Sequence, residues 1–470
     1  MTKIISCISV FMFLSGSAFS QQVVFEKKIE LISYGREKRT ILSVPDEESG
    51  ETAFFFTDQF HLKGVHLSAD STVRELPAPL PDKKYDIVLG AQKNGSEYSV
   101  YFSNKWHTDL AVITMNFEER IFSTHLLPLG LVEESYSCSF VHQNKLHFFT
   151  RLKKEHGFAL FTFNGNRFIR RQFTFPENQK GEEITPKSFY DVMWPENTSF
   201  ISQIKQERLI DGWARVNIYY VNNDLVLTFD HNKEKTTVIT IDTASNQTSV
   251  KNYPHENPHC KFSSMYSDGN SCIHANKLFQ IFGCQEGLSI RATDLDNGNV
   301  LFNRAFKYND EIDFRNTPFM SPDRLKQEIK STAFIRKIAN GRPGLSAYSV
   351  ADKIVLTVGG YLGVGGGGGY APMMMGGGAS GAPTMHFVPT GGSMSSPTSI
   401  VYIDVLLAKE TLEHVQGEIS PNINEKTDEL MKTPSMKKSV AHHLFQNGSK
   451  HYLAYYLTDS NTFVVRQIGE

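Results

Sequence analysis

Short apolar stretches alternate with polar turns along most of the chain. One clear copy of the pattern has apolar segments at 85–89, 98–102, 110–116 and 121–127, and the turn Lys93-Asn94-Gly95-Ser96 separates the first two. Apolar and polar residues tend to alternate one by one within these segments, and Asn, Asp and Gly mark the turns. This pattern predicts antiparallel β-strands joined by tight turns, with four strands to a unit.

The same unit recurs to the end of the chain. Later copies each contain a short polar turn followed by an apolar strand, and these turns are Asn222-Asn223, Ala275-Asn276, Ala351-Asp352 and Asn447-Gly448. Where nothing is inserted, the repeat is roughly 45 to 53 residues long, which is typical of repeats built from four strands. The chain is therefore predicted to be all-β.

The two ends of the chain complement each other. The last unit, 435–470, is one strand short, whereas the N-terminal segment 23–32 is a strand that belongs to no unit. Pairing this strand with the last unit would cover two exposed sheet edges, which open sheets must otherwise protect. Counted in this way the chain has about seven units, and a count of six or eight also fits the spacing.

These repeats resemble the β-propeller superfamily across nearly the whole chain. The resemblance implies a single propeller of about seven four-stranded blades, closed by the N-terminal strand pairing with the C-terminal blade. A β-sandwich or two stacked β domains are the alternatives. The sequence has no Trp-Asp dipeptide, no Gly-Gly kelch pair in register with the repeat and no YWTD-like repeat. No individual family is therefore indicated, and one fold hosts many functions.

Four segments interrupt the repeat: 176–211, 307–330, 359–398 and 417–434. In propellers the connections between blades and those between second and third strands lie on the same face, so the four insertions are expected to share one face. Function concentrates on loops that a rigid scaffold carries. We expect a helix near 321–329, where Ser321-Pro322-Asp323 forms a start signal, and a weaker one at 424–432.

The N-terminus and the charge balance indicate an exported protein. Residues 1–20 read as a signal peptide, with Lys3 before a short apolar run and Ala18-Phe19-Ser20 before the cut, which leaves 21–470 as the mature propeller domain. Cys7 lies inside the apolar run, so it is not placed as a lipoprotein cysteine, and the expected location is periplasmic or extracellular. The net charge of −2 predicts no basic stripe and no nucleic-acid partner.

Several aromatic and methionine side chains are candidates for binding on the expected loop-rich face. They are Trp106, His107, Trp194, Tyr361, Tyr370, Met373, Met374 and Met375. Aromatic rings stack on sugars or anchor peptides, although Trp194 alternatively caps a local core. The Gly- and Met-rich stretch is first of all a flexible hairpin tip; a contact with a partner or, less favoured, with a membrane is the alternative.

The remaining reactive groups point only weakly to chemistry. His255 and His259 are weak metal candidates, because solvated histidines are commoner than ligands, and no metal or other cofactor is predicted. Four cysteines follow the predicted signal peptide, and Cys260 with Cys284 is the favoured disulfide because both should lie near the same face of the fifth unit. That disulfide would make Cys260 unavailable to a metal.

The sequence has no catalytic motif such as His-Glu-x-x-His or Gly-x-Ser-x-Gly. It therefore favours a non-enzymatic binding or scaffold protein of the bacterial cell envelope, which presents one loop-rich face to a protein or glycan. The alternative is a hydrolase acting on a carbohydrate or ester, with its site in the central funnel. Whether the protein is an enzyme stays open at this point.

Overall fold

The computed structural model describes residues 22–31, 40–57, 61–175, 189–202, 206, 209, 212, 214–260, 267–320, 329–362 and 399–469. The chain is all-β, as predicted. The described strands form seven sheets, of which five have four strands, one has five and one has three. Within every sheet, strands that follow one another along the chain lie side by side, which is the arrangement expected of meanders joined by short turns.

The first three complete sheets are four-stranded antiparallel meanders. The first strand of the chain, β1 (Val23–Lys28), stands outside them. Sheet one contains β2 (Thr40–Pro45), β3 (Thr52–Thr57), β4 (His61–Leu67) and β5 (Val73–Pro79). Sheet two contains β6 (Ile87–Asn94), β7 (Glu97–Ser103), β8 (Asp109–Asn116) and β9 (Ile121–Pro128). Sheet three contains β10 (Glu134–His142), β11 (Lys145–Leu152), β12 (Gly157–Asn164) and β13 (Arg167–Thr174).

The other four sheets vary this plan. Sheet four contains β14 (Thr198–Phe200), β15 (Val216–Val221), β16 (Asp224–Phe229), β17 (Lys235–Ile241) and β18 (Thr248–Pro254), with β14 parallel to β15. Sheet five contains β19 (Asp268–His274), β20 (Lys277–Cys284), β21 (Gly287–Asp294) and β22 (Val300–Lys307). Sheet six contains β23 (Arg342–Val350), β24 (Lys353–Leu362) and β25 (Ser399–Ala408). Sheet seven contains β26 (Ser439–Asn447), β27 (Lys450–Leu457), β28 (Thr462–Ile468) and β1.

The described helices lie in the connections between sheets. They are α1 (Phe189–Val192), α2 (Ser331–Asn340) and α3 (Ile423–Met431), and two short 3-10 helices span Pro195–Asn197 and Pro434–Met436. The helix predicted at 424–432 corresponds to α3, where Asn422 and Glu425 form a capping box. The helix predicted near 321–329 falls almost wholly outside the described residues. The sixth unit was predicted to begin at 331, but α2 occupies its start, because Phe334, Ile335 and Ile338 recur at helical spacing and are buried.

The N-terminal strand pairs with the last sheet, as the sequence predicted. β1 is antiparallel to β28, with Phe25 opposite Val465 and Lys28 opposite Thr462. Beyond the strand, the backbone N–H of Ile29 donates to the carbonyl of Asn461 (2.8 Å), and Ile29 itself is buried. The strand is shorter than the predicted segment 23–32.

Sheet six has three described strands rather than the predicted four. The open side of β25 is covered by irregular chain: Met320 and Tyr402 exchange two backbone hydrogen bonds (2.8 and 3.1 Å), and the Asn316 side chain accepts from the Leu406 N–H (2.7 Å). Side-chain oxygens can replace strand partners in this way because each backbone N–H needs only one acceptor. The strands also continue through 359–362, which the sequence analysis had assigned to the insertion 359–398.

Apolar side chains fill the spaces between sheets. Separate clusters join sheets one and two, two and three, three and four, four and five, five and six, and seven and one. The first strands of neighbouring sheets also touch: β2 contacts both β6 and β26, and β10 contacts β6 and β14. Second strands such as β3 are buried along their length, whereas fourth strands such as β9 are largely exposed. The fourth strands are therefore the outer edges of their sheets.

Candidate functional site

Trp106 lies at the tip of the turn between β7 and β8 and is 70% exposed. The turn is ordered by Asn104, whose side-chain oxygen accepts from the backbone N–H groups of Trp106 (3.1 Å) and Thr108 (3.1 Å). An Asn side chain that accepts from residues following it is a common turn-former. The ammonium of Lys105 lies 4.7 Å from the centre of the Trp106 ring. The turn thus presents a large aromatic ring to solvent on a fixed base.

His107, predicted to bind beside Trp106, is instead a buried packing residue. Its ring stacks on Tyr136 of β10 with 3.8 Å between ring centres, and its Nδ1 lies 3.0 Å from the Ser103 hydroxyl. Burial lowers the pKa of His107 to about 4. His107 has a positive φ of 55°, which turns the chain inward directly after Trp106. The side chain therefore anchors the Trp106 turn to sheet three and leaves the indole outside.

Trp194 lies just after α1, within the predicted insertion 176–211, and is 43% exposed. The guanidinium carbon of Arg151 lies 3.5 Å from the centre of its ring and 4.4 Å from that of Tyr190. Arg151 is only 3% exposed, and its Nη1 donates to the Tyr190 carbonyl (2.7 Å). A desolvated cation held against an aromatic face is a favourable interaction. Trp194 thus covers a buried cation and keeps substantial exposed surface.

Both tryptophans are attached to the start of the same strand. Along β10, Ser135 approaches Tyr190 (Oγ to OH, 3.4 Å), Tyr136 stacks on His107, and Ser137 donates to the Met193 carbonyl (2.7 Å). Successive strand residues point to opposite sides, so one side of β10 holds the Trp106 turn and the other holds the Trp194 segment. We name the exposed Trp106 on one side of β10, together with Trp194 and Tyr190 on the other, the paired-tryptophan surface.

A charged group borders this surface. The first residue of β10, Glu134, accepts from Arg170 Nη2 (2.6 Å) and Nε (3.1 Å) through one carboxylate oxygen and from the Thr150 hydroxyl (2.5 Å) through the other. Its side chain is almost fully buried, whereas Arg170 is one-third exposed. The ion pair thus presents hydrogen-bond donors of Arg170 to solvent near the start of β10.

Of the other predicted binding residues, the structure describes Tyr361. Tyr361 is half-buried at the end of β24, opposite Arg342 and Ile400. Tyr370, Met373, Met374 and Met375 fall outside the described residues. The segment that contains them connects the second and third strands of sheet six, which is the same type of connection that carries Trp106 in sheet two.

His255 is a structural residue rather than a metal ligand. Its Nε2 lies 3.0 Å from the Thr236 hydroxyl, its Nδ1 lies 3.0 Å from the Lys233 carbonyl, and its ring stacks on Phe282. Burial lowers its pKa to about 4. A Cβ at Gly269 would lie 2.6 Å from the His255 ring, so this packing requires a glycine there. His259 is half-buried beside a shallow cavity lined by Glu286 and Asp310. The described residues contain no cluster of three or more side chains suited to hold a metal.

Cys260 and Cys284 form a disulfide with a Cα–Cα distance of 5.8 Å, and this is the pair favoured from the sequence. It ties the segment before sheet five to the end of β20. Cys138 and Cys272 are free and buried, and burial raises the pKa of both thiols. Buried thiols of raised pKa are unreactive.

Sequence reasoning missed a buried carboxylate between sheets four and five. The Asp230 carboxylate accepts from the hydroxyls of Thr236 (2.6 Å) and Ser271 (2.7 Å) and from the backbone N–H of Ser271 (3.0 Å). Burial raises its pKa to about 6, although these hydrogen bonds oppose the shift. Asp230 directly follows β16 (Asp224–Phe229), and what distinguishes it is its contact with Ser271 of sheet five.

No family model matches the chain, and no curated protein matches it. A crystal structure of an ACO/RPE65 chimera is similar at 6% identity and a TM-score of 0.28; the match covers 57% of this chain and 61% of that one. A fungal lectin from Aleuria aurantia, described as a six-bladed β-propeller with a novel mode of fucose recognition, matches at 9% identity over 69% of this chain and 88% of its own, with a TM-score of 0.26. Repeated four-stranded antiparallel sheets are what the chain shares with such folds. The chain resembles the β-propeller superfamily.

A putative 6-phosphogluconolactonase from Bacteroides uniformis matches at 12% identity over 67% of this chain and 80% of its own, with a TM-score of 0.28. Among the helices of the described residues, none is long and apolar enough to cross a membrane. The fold alone leaves the activity open.

Proposed function

We propose that the chain is an exported β-propeller binding protein of the bacterial cell envelope that captures a glycan on the paired-tryptophan surface. Its seven sheets are then the blades of one ring, closed by β1. The contacts between first strands of neighbouring sheets and the pairing of β1 with β28 support this closure. A ring covers sheet edges that would otherwise invite aggregation.

The observation that carries the glycan proposal is the pair of exposed indoles fixed at the start of one strand. Trp106 is 70% exposed and Trp194 43% exposed. The Trp194 ring covers the buried Arg151 guanidinium, and the backbone turn that carries Trp106 is held by the Asn104 side chain. Rigid aromatic rings lose little conformational entropy on binding and offer an apolar face to a sugar ring. Lys105 beside Trp106 supplies a donor for sugar hydroxyls.

The Gly- and Met-rich segment belongs to the same proposed face. It leaves sheet six through the same type of connection that carries Trp106, and its lack of charge suits a contact that excludes water. We assign it a secondary role, which is to cover a bound glycan or to recruit a protein partner.

The hydrolase alternative is less well supported. Among the described residues, the first strands of the seven sheets contain two acidic residues, Glu134 in β10 and Asp268 in β19. Glu134 is bound to Arg170, and Asp268 is paired with Arg215 through two hydrogen bonds (2.6 and 3.1 Å). Glycoside hydrolysis needs one carboxyl group of raised pKa and a second carboxylate facing the bond to be cleaved. Carboxylates neutralised by arginine are poorly suited to either role.

Trp194→Ala and Trp106→Ala are each expected to weaken glycan binding at least about tenfold, because a central aromatic anchor typically contributes about 2 kcal/mol or more. A glycan array should first identify a ligand for the wild-type protein, and titration calorimetry should then compare the variants. Ile169→Ala is the control, since Ile169 is exposed on the outer strand β13. Array binding that both tryptophan variants retain in full would contradict the proposal, as would an array without any ligand.

Export makes a separate prediction about the mature chain. Protein expressed in a bacterial host and recovered from its periplasm should begin at Gln21 and contain the Cys260–Cys284 disulfide, since oxidising compartments allow disulfides to form. Intact-mass measurement before and after reduction, with alkylation under denaturing conditions, checks both points. A full-length chain beginning at Met1 that stays in the cytoplasm would reject the export part of the proposal and leave the glycan surface untested by that result.

A further inference from the structure

Strand β9 is an outer edge with unusual chemistry. It is the last strand of sheet two and is paired on one side with β8. Three of its apolar side chains are largely exposed, namely Ile121 (54%), Phe122 (44%) and Leu126 (60%). An exposed apolar edge strand offers unpaired backbone groups to any other strand.

The other outer edges carry charges that β9 lacks. The sequence of β9 is IFSTHLLP, without Lys, Arg, Asp or Glu. In the described structure, the fourth strands β5, β13, β18, β22 and β1 each contain at least one Lys or Arg, and β13 contains three Arg. Charged residues on an edge prevent strands of two copies from pairing, because like charges would then lie opposite each other. β9 lacks this protection.

The register with β8 shows which backbone groups of β9 face outward. Residues of β9 pair with β8 so that Asn116 lies opposite Ile121 and Asp109 opposite Pro128. In the same register, the N–H of Leu129 donates to the carbonyl of Thr108 (3.1 Å). Backbone groups of alternate residues point to opposite sides of a strand. The odd-numbered residues therefore face β8, and Phe122, Thr124 and Leu126 direct their N–H and C=O groups to the open edge.

This edge is self-complementary. If two copies of β9 pair antiparallel about a two-fold axis at Thr124, Thr124 lies opposite its own copy and Phe122 lies opposite Leu126 of the second copy. By symmetry, Leu126 also lies opposite Phe122 of the second copy. The backbone groups of these three pairs face outward and can form about six hydrogen bonds. Ile121 then lies opposite Leu127 on the other side of the ribbon, and neither side places like charges together.

We propose that two copies of the chain form a two-fold symmetric dimer by pairing β9 with β9, centred on Thr124. The occupant of this edge is a second copy because the edge matches itself both in backbone pattern and in apolar side chains. A closed isologous contact of this kind uses the edge in both chains and stops at two. The dimer would present two paired-tryptophan surfaces. Pairing through β9 does not require either surface to bind a ligand.

Cysteine crosslinking tests the register directly. Paired residues in an outward hydrogen-bonded position have Cα atoms about 5.5 Å apart, within the range of a disulfide. Thr124→Cys should therefore give a covalent dimer on mild oxidation. Phe122→Cys alone should not, because two copies of residue 122 would lie about 14 Å apart along the strands. Mixing Phe122→Cys chains with Leu126→Cys chains should restore the crosslink. The native free cysteines are buried and should not interfere.

Sedimentation of the uncrosslinked protein gives an independent test. The wild type should show a concentration-dependent monomer–dimer equilibrium. Thr124→Lys should be a monomer, because it places two ammonium groups opposite each other at the axis. Ile169→Lys introduces the same charge at another exposed position, on β13, and this variant should remain dimeric. A monomeric wild type, or crosslinking at Phe122→Cys as efficient as at Thr124→Cys, would overturn the proposal.

Discussion

Phe463→Ala is expected to lower the free energy of unfolding by about 3–5 kcal/mol, the usual result of emptying a large core site. Phe463 lies on β28 and is fully buried. Its ring centre lies 4.5 Å from that of Phe56 and 5.0 Å from that of Phe54, both on β3 of sheet one, and 5.9 Å from that of Phe25 on β1. One ring thus joins the N-terminal strand, the last sheet and the first sheet.

Denaturant unfolding with a fluorescence or circular-dichroism signal measures this loss. Val464→Ala is a useful comparison, because Val464 is the next residue on the same strand but packs in a different cluster, against α3 and its neighbours. It should cost less, as it removes fewer atoms. The exposed control Ile169→Ala should change stability by less than about 0.5 kcal/mol. A loss at Phe463 no larger than that control would contradict the packing of sheet seven on sheet one.

Asp230→Asn is expected to become more stable relative to the wild type as the pH rises. The pKa of Asp230 is raised from 3.8 to about 6, so the folded protein holds this proton more tightly than the unfolded chain does. The wild type therefore loses stability as the pH rises through that window. A shift of this size corresponds to about 3 kcal/mol. Asn resembles the protonated carboxyl group and has no such dependence.

The measurement is the difference in free energy of unfolding between the two proteins, taken from about pH 4 to about pH 8. Other titrating groups near Asp230, including Arg215, Asp268 and His255, are present in both proteins, so most of their contribution cancels. Asp242→Asn is the matched control. Hydrogen bonds from the Ser245 hydroxyl and backbone lower the pKa of Asp242 from 3.8, so its wild-type contribution is lost only below this range of pH, and its difference curve should be flat over the same window. A flat difference curve for Asp230→Asn would show that its carboxylate is ionised at no net cost.

Local pattern was sufficient to predict the strands and their grouping. The alternation around Tyr98 and the turn at Gly95 indicate a hairpin because strand period and turn chemistry depend on neighbouring residues alone. The N-terminal segment is a strand that belongs to no unit, and the last unit lacks one strand. Together these two observations predicted the pairing of β1 with β28. The helix α3 also begins where its capping residues indicate. By contrast, α2 was missed, because its buried stripe of Phe334, Ile335 and Ile338 is short and directly follows the insertion 307–330, where the helix was predicted instead.

The candidate site divides in the same way. Trp106 and Trp194 could be selected from sequence because large aromatic residues in polar connections are unusual. Arg151 could not, since nothing within β11 indicates that a cation is buried beneath an indole some forty residues later. In the sequence, His107 and His255 lie in polar segments of the kind that carry exposed, ligand-binding histidines. In the structure, both rings stack on aromatic rings of other strands.

The sequence by itself therefore determined the all-β repeat, the pairing of its ends and the exposed tryptophans as candidates. The tertiary structure alone decided which polar residues are buried, which edges are covered and which is left open at β9. The physical reason is that strand and turn preferences act between near neighbours, whereas burial, pKa shifts and ring stacking depend on groups that meet only when separate sheets pack together.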